Sequence, residues 1–160
     1  MHFSQVVESS RVFKPWRVSA AAIGVCVGAA ALGASYAAAS SPTSRACPSA
    51  SLVNAALGHK GKAPVATKTA YSKTCTYSGG SIIPTTITFQ VDTSSTFAAG
   101  EKAAAAALPN SVVKLSGLGQ AAWATKTGGS LYVFDAGTTI KILSLLTATS
   151  KLEALARKLL

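Results

Sequence analysis

Side chains able to do chemistry are sparse in this chain, and their spacing narrows what that chemistry can be. After residue 40 there is one histidine, His59, and four carboxylates, Asp92, Glu101, Asp135 and Glu153, no two of which are neighbours. General acid–base catalysis needs titratable groups within hydrogen-bond reach of one reacting proton. These residues offer one scheme: a serine hydroxyl activated by His59, with the imidazole oriented by Asp92 or Asp135. Triads assemble in space, so distance along the chain does not exclude it, and a small hydrolase using His59 is kept as the alternative function. Against it, there is no G-x-S-x-G elbow, and Gly79-Gly80-Ser81 and Gly128-Gly129-Ser130 read as hairpin turns. A lone imidazole with scattered carboxylates does not make a zinc or calcium shell. Gly117 and Gly119 lack the third glycine and the lysine of a phosphate loop. The expectation is a non-enzymatic chain with no metal and no cofactor.

Binding chemistry has more material. The chain holds 15 basic and 5 acidic side chains; Arg11, Lys14, Arg17 and Glu8 fall in the first 40 residues, so the remainder carries 12 and 4, a net charge near +8. Lys60, Lys62, Lys68 and Lys73 share one stretch with no acidic residue between His59 and Cys75. Such a field attracts polyanions over a range set by salt, and these four lysines are the polyanion-binding candidates. Solvated lysines on an ordinary surface are the plainer reading. No interleaved aromatics or arginine cluster point to nucleic acid, and outside a cell the anionic partners are envelope polymers and lipid headgroups. Trp123, Tyr132 and Phe134 fall near one another in neighbouring predicted strands and are candidates for a ligand surface, with cross-strand packing as the competing role. The sequence is silent on oligomeric state.

The compartment is read from the N-terminus. A basic segment ending Lys14-Pro15-Trp16-Arg17 precedes an uncharged, Ala- and Gly-rich run over 18–39 and then Ser40-Ser41-Pro42. Positive flank, apolar stretch and small residues form the order of a secretory leader. The run is long enough to span about 30 Å of hydrocarbon, so retention as an anchor, with the protein a membrane-tethered accessory subunit, is the other fate. Both keep the basic flank inside and the remainder outside. Ser35, Ala37 and Ala39 supply small residues for cleavage. A twin-arginine route lacks its second arginine at Ser10-Arg11, and Val25 before Cys26 departs from a lipidation box, so Cys26 reads as a small apolar residue of the leader. The domains are then 1–39, signal peptide or membrane anchor; 40–46, linker; and 47–160, one extracytoplasmic domain of a size that buries about two-thirds of its surface. Cys47 and Cys75 remain as a pair in an oxidising compartment, which predicts a disulfide. Their spacing is not C-x-x-C, which sets redox or metal roles aside.

The exported part alternates helical and strand patterns. Residues 48–57, ending at Gly58, read as a short helix with a glycine cap. Residues 74–78 and 82–91 read as strands around Gly79-Gly80. In the second, Ile83, Ile87, Phe89 and Val91 share one face, leaving the other wet, and Pro84 places its start at a sheet edge. Residues 94–108 read as an Ala-rich helix, stopped by Pro109, whose small side chains allow close packing on the sheet. Residues 121–127, 130–135 and 138–146 form a meander turned at Gly128-Gly129 and at Asp135-Ala136-Gly137. Leu152, Leu155, Ala156, Leu159 and Leu160 mark a helix over 150–160, started by a Ser150/Glu153 capping box and carrying a Glu153–Arg157 pair. Its stripe is expected to dock on the sheet; Lys151, Arg157 and Lys158 on the polar side leave a membrane-lying role as the alternative. The fold class is α+β, an antiparallel sheet of about five strands with helices on one face, preceded by a signal or anchor helix.

Cys47-Pro-Ser-Ala-Ser-Leu-Val-Asn-Ala-Ala-Leu-Gly58, then Thr74-Cys75-Thr76-Tyr77, then Leu115-Ser-Gly-Leu-Gly119 before a final meander and helix, resembles small secreted or lipid-anchored actinobacterial proteins of unknown function. The resemblance implies a paired disulfide and an extracytoplasmic domain, and assigns no activity. The leader here departs from it in lacking the lipidated cysteine. The chain's own role is expected to be binding, or association with the cell envelope. Mass spectrometry on medium and membrane fractions checks the leader: a medium species starting near Ala38 or Ser40, two hydrogens lighter before reduction, is expected, and a full-length membrane species would make 18–39 an anchor.

Overall fold

The computed structural model describes residues 41–79 and 84–160. The expected signal or anchor helix, Cys26 and Ile83 lie outside these residues. Among the described residues no helix is long and apolar enough to cross a membrane. The elements run α1 (Ala50–Leu57), β1 (Val65–Lys68), β2 (Ser72–Tyr77), β3 (Thr85–Val91), α2 (Ser94–Ala107), β4 (Val112–Leu115), β5 (Ala121–Thr125), β6 (Ser130–Asp135), β7 (Thr138–Leu143) and α3 (Thr149–Leu159). The strands form one antiparallel sheet in the order β1-β2-β3-β7-β6-β5-β4.

Period-2 alternation builds the main core. Cys75 and Tyr77, Ile87 and Phe89, Ala122 and Ala124, Leu131 and Val133, and Ile140 and Ile142 point to one face and meet Val53 and Leu57 of α1 and Leu152, Leu155 and Ala156 of α3. Each large side chain so buried contributes about 1.5–3 kcal/mol. α1 starts at Ser49, whose hydroxyl accepts from Leu52 N, and ends where Gly58 takes φ 76°. The Asn54 amide then holds the loop, accepting from Gly61 N at 2.8 Å and donating to Gly61 O at 2.9 Å.

Three inward-side residues of β2 hold the segment ahead of α1. Cys75 is bonded to Cys47, with the Cα atoms 5.7 Å apart. Tyr77 OH donates to Pro48 O at 2.7 Å, and Lys73 Nζ to Arg45 O at 2.7 Å. The Arg45 guanidinium lies 5.7 Å from the Phe89 ring centroid and donates to Leu159 O at the end of α3. A 28-residue separation makes the disulfide worth about 3.5 kcal/mol in the loop-entropy account.

The sheet has seven strands where about five were expected. The two additions are its edges: β1 is exposed at all four positions and β4 is only partly buried, so neither carries an alternating apolar pattern. Helices cover both faces, α1 and α3 one and α2 the other, because the link from β3 to β4 must cross the widths of β7, β6 and β5. Four interstrand steps are about 19 Å and a 14-residue helix about 21 Å. The alanines of α2 do not pack closely: Phe97 alone is buried in that helix, with Ala104 partly so.

Other local expectations shift for local reasons. Pro84 marks no edge, since β3 is paired on both sides and proline precedes its first paired residue. Val91 is 46% exposed, because β2 begins opposite Gln90 and on that side only the exposed turn residue Tyr71 lies beside Val91. α3 starts two residues earlier than a capping box requires: Lys151 N and Leu152 N donate to Ala148 O, no side chain caps the helix, and Ser150 lies inside it. Arg157 reaches Gly117 O at 2.9 Å instead of pairing with Glu153.

Burial pushes the Tyr77 phenol from 10.0 up to about 12. The folded protein therefore holds this proton where the unfolded chain releases it, so the stabilisation is complete below pH 10 and is lost as pH climbs from 10 toward 12. Urea unfolding across pH 8–12 should show wild type losing up to about 3 kcal/mol more than Tyr77→Phe over that window. Parallel pH curves would remove Tyr77 as the cause.

Candidate functional site

The second face of the sheet carries a row of side chains set by strand register. Lys114 of β4 lies opposite Trp123 of β5, Trp123 opposite Tyr132 of β6, and Tyr132 opposite Lys141 of β7. The result is two stacked aromatics between two cations. The Trp123 and Tyr132 rings lie 3.8 Å apart and 12° from parallel, and Lys141 Nζ stands 5.3 Å from the Tyr132 centroid. One row over is Phe134, whose ring lies 5.6 Å from that of Phe97 on α2.

α2 touches this surface along one line. Phe97, Glu101 and Ala104, at i, i+4 and i+7, are its only residues that are not fully exposed. Phe97 packs with Trp123 and Phe134, with Ala104 and Tyr132 at the margin. Glu101 Oε1 pairs with Lys114 Nζ at 3.0 Å, but the lysine is 81% exposed, and exposed pairs contribute about 0–1 kcal/mol. Between helix and sheet lies a cleft of about 370 Å³, with Phe97, Gly100 and Ala104 on one side and Trp123, Tyr132 and Lys141 on the other. Asp92 and Thr139 close one end: Asp92 Oδ2 accepts from the Thr139 hydroxyl at 2.7 Å and Oδ1 from Thr93 N at 2.8 Å.

Two of the lining residues, Trp123 and Lys141, carry a donor with no acceptor among the described residues. Trp123 is 5% exposed, and its Nε1 is buried with no acceptor. A buried donor left unpaired costs about 1–3 kcal/mol, and such groups are rare in folded proteins. Lys141 is partly buried, and among the described residues neither a carboxylate nor a hydrogen-bond acceptor meets its ammonium.

The structure brings the three aromatic candidates Trp123, Tyr132 and Phe134 together, but under α2 and not on an open face. It separates the lysines. Lys62 N bonds Ser78 O at one end of the β1–β2 hairpin, whereas Lys68 lies opposite Lys73 at the other, about 16 Å away along β2. Lys73 is partly buried and committed to Arg45 O; Lys60, Lys62 and Lys68 are exposed. His59 N bonds Asn54 O, and among the described residues His59 makes no hydrogen bond to Asp92 or Asp135. No group of three metal-ligating side chains occurs among them. A second depression of about 350 Å³ lies beside the disulfide, between Arg45, Phe89, Lys158 and Leu159, and its arginine is already held by Leu159 O and the Phe89 ring.

Sequence reasoning passed over Lys141, Phe97 and Gly100. For Lys141 a signal existed: Ala136 and Gly137 both have positive φ and make a two-residue turn, which fixes Lys141 opposite Tyr132. Phe97 had none, since its place depends on which face α2 crosses.

Because Phe97 is the one buried anchor of α2, Phe97→Ala should cost about 3 kcal/mol or more. Native-state hydrogen exchange should then show α2 amides losing protection while β3 and β7 keep theirs, and uniform loss across all three would contradict this weak attachment. No protein-family model, curated protein sequence or solved structure matches the chain.

Proposed function

We propose that this chain is an exported, non-enzymatic binding domain whose ligand occupies the cleft between α2 and the sheet. The observation that carries the reading is an aromatic-lined cavity walled in part by Trp123, whose Nε1 is buried without a partner. A concave, mostly apolar site with a few convergent polar groups is the usual form of a small-molecule site. The cleft's size falls within the range such sites take, and its helical wall is held by little else than Phe97.

Export is supported by the leader pattern in the sequence, and the Cys47–Cys75 bond is consistent with an oxidising compartment. The lysine stretch carries less weight as a ligand site, since its cations are split between the two ends of a hairpin and Lys73 is already bonded. The resemblance to envelope proteins agrees with a binding role outside the cell, and loose association with anionic envelope polymers follows from a net charge near +8.

Gly100 provides the test. It lines the cleft, and a Cβ placed there meets nothing within 4 Å. Leucine at this helical position should fill the cleft and favour the helix by about 0.8 kcal/mol. Titration with Nile red, an uncharged apolar dye, should give a saturable rise in emission with wild type and at least about tenfold weaker binding with Gly100→Leu. Equal binding by both proteins would place the apolar site elsewhere and overturn the reading.

A further inference from the structure

Lys141 and Trp123, both lining the cleft, carry a cation with no anionic partner and a buried donor with no acceptor among the described residues, and together they point to an occupant. Asp92, the one carboxylate in the lining, has each oxygen satisfied, by the Thr139 hydroxyl and by Thr93 N. Glu101 faces the sheet from α2 but is neutralised by Lys114. Lys141 keeps a positive charge with no carboxylate against it, only the Tyr132 ring, and Trp123 Nε1 is a buried neutral donor with no acceptor. Both want an acceptor, and the cation wants a negative one. They sit on adjacent partners of the same cross-strand row, with the Tyr132 ring between them. Around them the walls are Phe97, Gly100, Ala104 and the aromatic faces.

We infer that the cleft takes an apolar molecule bearing one anionic group, a carboxylate or phosphate, which lies against Lys141 and accepts from Trp123 Nε1 once α2 lifts. This inference rests on the reading of the cleft as a ligand site and adds the class of ligand. Nε1 has no solvent access and no acceptor, so an acceptor reaches it only if the cleft opens, and α2 is the wall with the least buried. The helix can yield: Phe97 is its one buried side chain, and its ion pair to the sheet is solvent-exposed on the lysine side. A polyanion does not fit, since a single free cation in a partly closed cleft cannot neutralise several charges.

The experiment compares decanoate with 1-decanol on the protein as purified from an expressing cell, by isothermal titration calorimetry and by the indole N–H proton resonance of Trp123, assigned with Trp123→Phe. Decanoate should bind at least about tenfold more tightly than decanol, as expected for a hydrogen bond to a charged group. Its binding should move the Trp123 N–H signal downfield. Lys141→Met should erase the preference while leaving decanol affinity unchanged, and Lys141→Arg should restore it. Equal affinity for the two probes, or a preference that survives Lys141→Met, overturns the anion assignment and leaves the cleft as an apolar site. A Lys141-dependent preference with an unmoved indole resonance overturns the role of Trp123 and of helix movement. Binding of neither probe, in a protein that also fails to take up Nile red, overturns the cleft reading itself.

Discussion

The pairing of β3 with β7 is the constraint on which the rest of the molecule depends. Each half of the chain makes its own meander, β1-β2-β3 and β4-β5-β6-β7, and among the described strands only this ladder, from Thr86 opposite Leu143 to Val91 opposite Thr138, pairs one meander with the other. Once the last strand lies beside the third, the fourth must start at the far edge, and the link between them has to cross the intervening strands. A helix of 14 residues has the length for that crossing, and α1 and α3 already occupy the other face. The second face therefore acquires a roof, and the roof creates the cleft.

The two faces are built to different standards. On the α1/α3 face, side chains from five strands pack against two helices, and β2 is stitched to the chain ahead of α1 by a covalent bond and two hydrogen bonds. Even the chain leaving β7 is pinned, through buried hydroxyls linking Thr85 to Ser144 at 2.9 Å and Ser144 to Thr147 at 2.8 Å. On the α2 face, the buried cluster comprises only Phe97, Trp123 and Phe134. Most of the free energy of folding thus resides on one face, and the other is left loose enough to hold a cavity and an unsatisfied donor. Local stability of this uneven kind is where binding elements are usually found.

Polar satisfaction separates structural from functional candidates here. The loop after α1, the turn at Thr69 to Ser72 and the end of β7 all close their hydrogen bonds internally. Asp92, one of the two carboxylates expected to orient His59, spends both oxygens on its own neighbourhood. Trp123 stands apart: stacked on Tyr132, it keeps its N–H buried with no acceptor among the described residues.

What the amino-acid order determined by itself was whatever depends on neighbours in sequence. The apolar stripe of α3, the inward Ile87 and Phe89 of β3, the glycine that ends α1 and the turn at Asp135-Ala136-Gly137 were all legible, because period and turn chemistry act over a few residues. The Cys47–Cys75 bond was legible from parity and compartment. The edge strands were not, since β1 buries nothing and an edge gains its shape from the strand it joins. Nor were the face chosen by α2, the splitting of the lysines or the cleft itself. Those follow from the β3–β7 ladder, a contact between residues about 50 apart whose formation depends on the free energy of the whole sheet, and no local pattern encodes it.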